Sequence, residues 1–110
     1  IDLLVRVGDK VVILDWKTNS LSDYTDSNVI KTAMDEADYH LQYQLYSLAV
    51  HAWLKSYGLT LCGAAYLFVR GVEVGSKSGL FVRDFDARDV EQFRKDISQK
   101  GFFAAKKEAE

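Results

Sequence analysis

Two aspartates, a lysine, a glutamine and a tyrosine carry the chemistry that this sequence could do. Asp15 and Lys17 stand two apart at the end of "VVILDWK", so a strand there turns both to one face. Asp2 lies at the start of the preceding run, "IDLLVRV", and Gly8-Asp9 between the runs is a tight-turn pair. Folded as a hairpin with Val7 opposite Lys10, the two runs bring Asp2 opposite Asp15. Facing carboxylates repel, and a divalent cation is the natural compensation. Magnesium suits such a site, because it takes one or two protein carboxylates and keeps several waters. A lysine alongside can stabilise a phosphate oxyanion or help to position or deprotonate an attacking water. Two acids, one amine and a metal make a phosphodiester-hydrolysing site. Alone, an Asp-x-Lys at a strand end is ordinarily a solvated surface pair; the register-matched Asp2 is what raises it above that.

Gln42 and Tyr46, four apart in "LQYQLYSLA", share a helix face. An amide and a phenol pointing one way can hydrogen-bond phosphate oxygens or hold a lysine in place. Standing alone, the pair is better explained as an ordinary helix with a half-buried tyrosine. Tyr43 and Gln44 fall on another face and receive no role. His40 and His51 read as ordinary histidines.

The elements that must position these groups follow from pattern. Residues 1–7 and 10–17 read as strands, and the polar stretch 18–27 as a loop. Asp26 or Ser27 can cap a helix that begins near Asn28. The helical signal is strongest from Tyr39 to Tyr57, where Leu41, Leu45, Leu48, Ala49, Ala52 and Trp53 form an apolar stripe expected to face the core. Gly58 is the expected stop, and residues 28–38 either join this helix or form a short one of their own. Cys62–Gly71 reads as a central strand, apolar on both faces, and Gly79–Phe85 as a further strand reached through a glycine-rich turn. Asp86 then caps an amphipathic helix with Val90, Phe93 and Ile97 on its inner side. The closing "AAKKEAE" reads as a solvated tail or frayed helix end. Hairpin, helix, strand, strand and helix define an α/β domain, a mixed sheet covered by helices.

Composition narrows the setting. With 110 residues, 48% of them hydrophobic, the chain suits a single small domain over 1–110 with a genuine core. A net charge of −2 supplies no basic field for nucleic acid. The single cysteine, Cys62, excludes an internal disulfide and any multi-cysteine zinc or iron–sulfur site within the chain. No apolar run reaches membrane-spanning length and no leader pattern is visible, which points to a cytoplasmic protein. No Gly-x-x-x-x-Gly-Lys loop is present, so nothing here shows ATP use. The sequence opens at Ile1, already inside a strand pattern and without methionine, which is expected of a piece of a longer protein truncated at its N-terminal side.

Taken in order, Ile1-Asp2-Leu3, Leu14-Asp15-Trp16-Lys17-Thr18-Asn19 and Gln42-Tyr43-Gln44-Leu45-Tyr46 resemble successive motifs of the RecB-family nucleases, within the PD-(D/E)xK or restriction-endonuclease-like superfamily. The likeness runs on through "YLFVRGV" to about residue 85. It implies a restriction-endonuclease-like core and a Mg2+-dependent deoxyribonuclease of the exodeoxyribonuclease V type, with Mn2+ or Ca2+ able to substitute in binding. Asp2 and Asp15, with the Trp16 backbone carbonyl, would hold the metal, and Lys17 would be the motif lysine. Gln42 and Tyr46 would contact DNA or orient Lys17. Thr18 and Asn19, just beyond, are assigned to the substrate backbone. The family also draws a metal-binding histidine or acid from an upstream helix that this chain does not include, so the isolated fragment is expected to be weak or inactive. DNA and the other subunits of a helicase–nuclease that processes double-strand ends in recombinational repair are the implied partners. A non-catalytic, nuclease-like DNA-binding or scaffold module is the alternative reading.

Overall fold

The protein is described here by a computed structural model over residues 2–73 and 75–99. Ile1, Val74 and the expected C-terminal tail lie outside the described residues. Strand β1 (Leu3–Val7) and strand β2 (Lys10–Lys17) form the hairpin, and helices α1 (Ser27–Glu36) and α2 (Tyr39–Lys55) follow. Strand β3 (Thr60–Phe68), a short 3-10 turn (Val69–Gly71), strand β4 (Leu80–Asp84) and helix α3 (Ala87–Gln99) complete the order. The four strands lie side by side as β1-β2-β3-β4. β1 and β4 run antiparallel to their neighbours, while β2 and β3 are parallel. The sheet is therefore mixed, and the parallel pair is reached through the two-helix crossover that such a pair requires.

Local chemistry accounts for the breaks. Asp26 caps α1 by accepting the Asn28 N–H at 2.8 Å. Residues 28–38 form a helix of their own because Asp38 turns the chain at φ 53°, a left-handed conformation that aspartate tolerates better than most residues. Gly58, at φ 70°, ends α2 as expected. The Leu59 N–H reaches the Leu54 carbonyl and the Gly58 N–H the Lys55 carbonyl, the bond pair of a Schellman stop. Asp86 accepts the N–H groups of Arg88 and Asp89, and the Asp89 carboxylate reaches back to the Asp86 N–H. That is a capping box. The strand expected over Cys62–Gly71 starts two residues earlier and yields to the 3-10 turn at Val69.

The core joins Ile30, Ala33 and Met34 of α1, Tyr43, Val50 and Leu54 of α2, and Val90 and Phe93 of α3 to one face of the sheet. That face presents Val11, Ile13, Ala64, Tyr66 and Phe68. The inner side of α2 is Tyr43, Ser47, Val50 and Leu54; of the stripe expected from the sequence, Leu48 alone packs against this core. Ala49, Ala52 and Trp53 are exposed, and Leu41 and Leu45 line a surface groove with Asp38, Gln42 and Tyr46. The reason is that α2 is apolar nearly all round, so aliphatic spacing alone picks no face. Its buried serine is tolerated because Ser47 Oγ donates back to the Tyr43 carbonyl at 2.6 Å.

Among the described residues, the helices pack on one face of the sheet. The other keeps Leu3, Val5, Trp16, Leu80 and Val82 at least a third exposed. At the far end of the covered layer, the 3-10 turn is tied to the loop before α1. Gly71 lies so close to Tyr24 that a Cβ there would collide with the tyrosine ring. Beside it the Gly79 N–H donates to the Tyr24 carbonyl at 2.8 Å, and the Phe68 N–H to the Gly79 carbonyl at 2.7 Å.

Candidate active site at the open end of the hairpin

The hairpin ladder runs from Val7↔Lys10 to Leu3↔Leu14, the register counted outward from the turn. One step past the ladder, the Asp2 N–H donates to the Leu14 carbonyl at 3.2 Å. Asp2 Oδ2 accepts the Trp16 N–H at 2.9 Å. These two bonds set the Asp2 carboxylate beside Asp15, near enough for the second acid to influence the first. The Trp16 N–H holds the Asp2 carboxyl below its ordinary range; partial desolvation opposes this, and Asp15 and the Lys17 charge reinforce it.

Asp15 is buried, at 4% exposure, and its Oδ1 lies 3.2 Å from Lys17 Nζ. The lysine is held from two further sides. Its Nζ sits 4.5 Å from the centroid of the Tyr39 ring and 5.5 Å from that of Tyr66. Such cation–π contacts contribute about 0.5–2 kcal/mol each, more as the site dries. Tyr66 is the register partner of Asp15 across β2 and β3, so both side chains emerge on the covered face. The Tyr66 hydroxyl donates to Gln42 Oε1 at 2.5 Å and to the Tyr39 carbonyl at 3.3 Å. Burial, with the Asp15 charge adding, pushes the Tyr66 phenol far above its usual range. The shift favours the protonated phenol that the two hydrogen bonds require.

The residues singled out from sequence thus fall into three groups. Asp2, Asp15, Trp16 and Lys17 meet at one point. Gln42 is joined to that point through Tyr66, and half-buried Tyr46 packs against the same core and lies within electrostatic reach of Tyr66. Beyond the strand, Thr18 is exposed. The Asn19 side chain accepts the Tyr39 hydroxyl at 3.1 Å and its carbonyl that of Tyr24 at 2.9 Å. His40 lies elsewhere, with Nε2 3.0 Å from Asp35 and Nδ1 3.2 Å from the Tyr43 hydroxyl. His51 Nδ1 is buried with no hydrogen-bond partner among the described residues.

Sequence reasoning missed Tyr39 and Tyr66. Tyr39 was within reach, since Tyr39, Gln42 and Tyr46 follow helical spacing on one face. Tyr66 was not. Its pairing with Asp15 depends on a register shift between Val11 and Val12 that no residue pattern announces.

Two neighbouring carboxylates, Asp15 buried and Asp2 exposed, fit a hard cation that takes one or two acids and fills its shell with water. They do not fit a soft metal wanting thiolate or imidazole. Among the described residues no group of three or more His, Cys, Asp or Glu side chains gathers to hold a metal.

The family model of the PD-(D/E)XK nuclease superfamily matches residues 1–110, and the chain belongs to that superfamily. Its mixed four-stranded sheet with helices is the restriction-endonuclease-like α/β core. Within the superfamily the chain is similar to one particular protein, the RecBCD enzyme subunit RecB. It is 35% identical to that of Haemophilus influenzae over 101 residues, covering 83% of this chain and 8% of the relative. To that of Buchnera aphidicola subsp. Schizaphis graminum it is 36% identical over 110 residues, covering 91% and 9%. To that of Escherichia coli K12 it is 39% identical over 83 residues, covering 66% and 7%. The chain therefore spans less than a tenth of the length of the curated relatives it matches.

Proposed function

We propose that this chain is the metal-binding, phosphodiester-cleaving part of a helicase–nuclease that processes double-strand DNA ends in recombinational repair. The observation that carries the reading is the contact of Asp2, Asp15 and Lys17 at one strand end, in a chain of a nuclease superfamily. Asp2 and Asp15 would hold Mg2+, with the Trp16 carbonyl as a further ligand and Mn2+ or Ca2+ as binding substitutes. When bound, the ion supplies Lewis-acid polarisation of a phosphoryl oxygen and lowers the pKa of a water.

The remaining work belongs to the chain's own side chains. Lys17 faces the scissile phosphate or the attacking water and offers a fixed ammonium to the charge that builds up there. Its Asp15 contact and two aromatic neighbours keep it from swinging into solvent. Gln42 and Tyr46 would support the site from α2, and Thr18 and Asn19 would touch the substrate backbone. Membership of an assembly with other subunits, in the bacterial cytoplasm, is proposed from the relatives, which are named as subunits of the RecBCD enzyme. DNA affinity would come largely from those other parts, because the chain itself carries a net charge of −2. No helix among the described residues is long and apolar enough to cross a membrane.

Lys17→Ala in the full-length protein tests the reading. Mg2+-dependent DNA cleavage is expected to disappear while DNA binding and folding persist. Cleavage at the wild-type rate would refute it.

A further inference from the structure

The Lys17 environment contains more than the acid that completes its motif. Salt-bridge contact with Asp15 fixes one direction of the ammonium group, but a lysine stem has four rotatable bonds and one contact leaves it free to pivot. Here the pivot is closed by rings. Tyr39 lies on one side at 4.5 Å and Tyr66 on another at 5.5 Å, their own centroids 5.5 Å apart. Each ring is in turn anchored at its hydroxyl. Tyr39 donates to Asn19 Oδ1, and Tyr66 to Gln42 Oε1 and the Tyr39 carbonyl. The chain of contacts thus runs from Gln42 on α2, through Tyr66 on β3, to Lys17 on β2.

From this geometry we infer that Tyr39 and Tyr66 are positioning residues that hold the Lys17 ammonium against Asp15, and that Gln42 acts on the reaction through Tyr66. This rests on the reading of Asp15 and Lys17 as the reacting pair. It gives the glutamine of the Gln-x-x-x-Tyr motif a task inside the fold: its amide oxygen orients a phenol, and the phenol's ring orients the lysine. Tyr39 couples the same lysine to Asn19, so the loop leaving β2 and the lysine are set together. Neither tyrosine transfers a proton in this scheme. Their contribution is to keep Nζ on the line it must occupy when charge develops on the phosphate.

The test uses the full-length protein and DNA cleavage under single-turnover and steady-state conditions. Tyr39→Leu removes the ring face while keeping bulk. The expected result is a kcat lower by about 10- to 100-fold, the scale of a sub-ångström to ångström misplacement, with KM for DNA unchanged. Tyr39→Phe keeps the ring and recovers most of the rate. Should Tyr39→Leu fail to fold, the second arm decides: Tyr66→Phe and Gln42→Leu each lower kcat at constant KM, and the double variant is no slower than the slower single one. Wild-type kcat in a folded Tyr39→Leu protein, or additive losses in the Tyr66 and Gln42 pair, would overturn the inference provided that Lys17→Ala is inactive. A Lys17→Ala protein that cleaves normally overturns the functional reading beneath it instead.

Discussion

Asp2 and Trp16, fourteen positions apart in the chain, are joined by a 2.9 Å hydrogen bond from the Trp16 amide to a carboxylate oxygen of Asp2. Trp16 stands between Asp15 and Lys17, so this one bond locks the first acid to the backbone that carries the second acid and the lysine. The ladder of β1 has already ended at Leu3. Asp2 is held by its own backbone bond to Leu14 and by its side chain.

An isosteric change separates the structural use of Asp2 from its electrostatic one. Asp2→Asn keeps an oxygen for the Trp16 amide and removes the charge. The thermal midpoint should fall somewhat, because a carboxyl held below its ordinary range stabilises the fold in its charged form. Mn2+ affinity in a calorimetric titration should fall by about tenfold or more. An isotherm identical to wild type would remove Asp2 from the metal site.

Metal binding should also register as stability. At about 100 times its dissociation constant, Mn2+ adds about 2.7 kcal/mol, which raises the midpoint of a domain of this size by about 10 °C or more. A chelator should reverse the rise, and Asp15→Asn should abolish it. A rise of equal size in Asp15→Asn would place the ion elsewhere.

The inner face of α2 can be checked by truncation. Tyr43 is 1% exposed, its hydroxyl accepts Arg83 Nη1 at 2.9 Å, and its ring meets Phe93 edge-on. Tyr43→Ala should cost about 3–5 kcal/mol in urea denaturation. Trp53, 54% exposed, meets only the Tyr57 ring among the aromatic rings of the described residues, and Trp53→Ala should cost under about 1 kcal/mol. The reverse order would restore the aliphatic stripe as the core face.

Acid stability should depend on caps. The Asp89 N–H, first, and then the Arg88 N–H and guanidinium hold the Asp86 carboxyl below its ordinary range, against slight desolvation. A carboxyl depressed in the folded state stabilises fully above its unfolded pKa, near 4. That stability is lost as pH falls through the lower folded value. Asp86→Asn still offers a capping oxygen, so it should resemble wild type at pH 7 and show a shallower loss of midpoint below about pH 4. An unchanged acid slope would assign the loss to other carboxylates, with Asp2 and Asp23, both also depressed, next in line.

What could be read from sequence was local. The hairpin register needed only the turn Gly8-Asp9 and a count of residues, and that count delivered Asp2 to Asp15. The caps at Asp26 and Asp86 needed only a short polar side chain ahead of a helix. The face of α2 was not local. Tyr43 and Ser47 are amphipathic residues whose burial is decided by Arg83, Phe93 and the sheet beneath them, none of them near in sequence. Tyr66 was hidden for the same reason: a parallel pair separated by two helices carries no turn from which to count, and the shift near Val11 changes the count again. The lysine cage is assembled from three elements, and of its members only Tyr66 has no spacing in the sequence that announces it.

Gly71 gives this a consequence beyond chemistry. It lies against Tyr24 with no room for a methyl group, and the Tyr24 hydroxyl holds the Asn19 carbonyl just past Lys17. An allele that adds one carbon at Gly71 would push on the segment leaving the lysine, with every acid and amine still encoded. If the chain cleaves DNA as proposed, selection for loss of that activity would collect such alleles beside those at Asp15 and Lys17. The genetic target would then be wider than the proposed reacting groups, its outlying part marked by glycine.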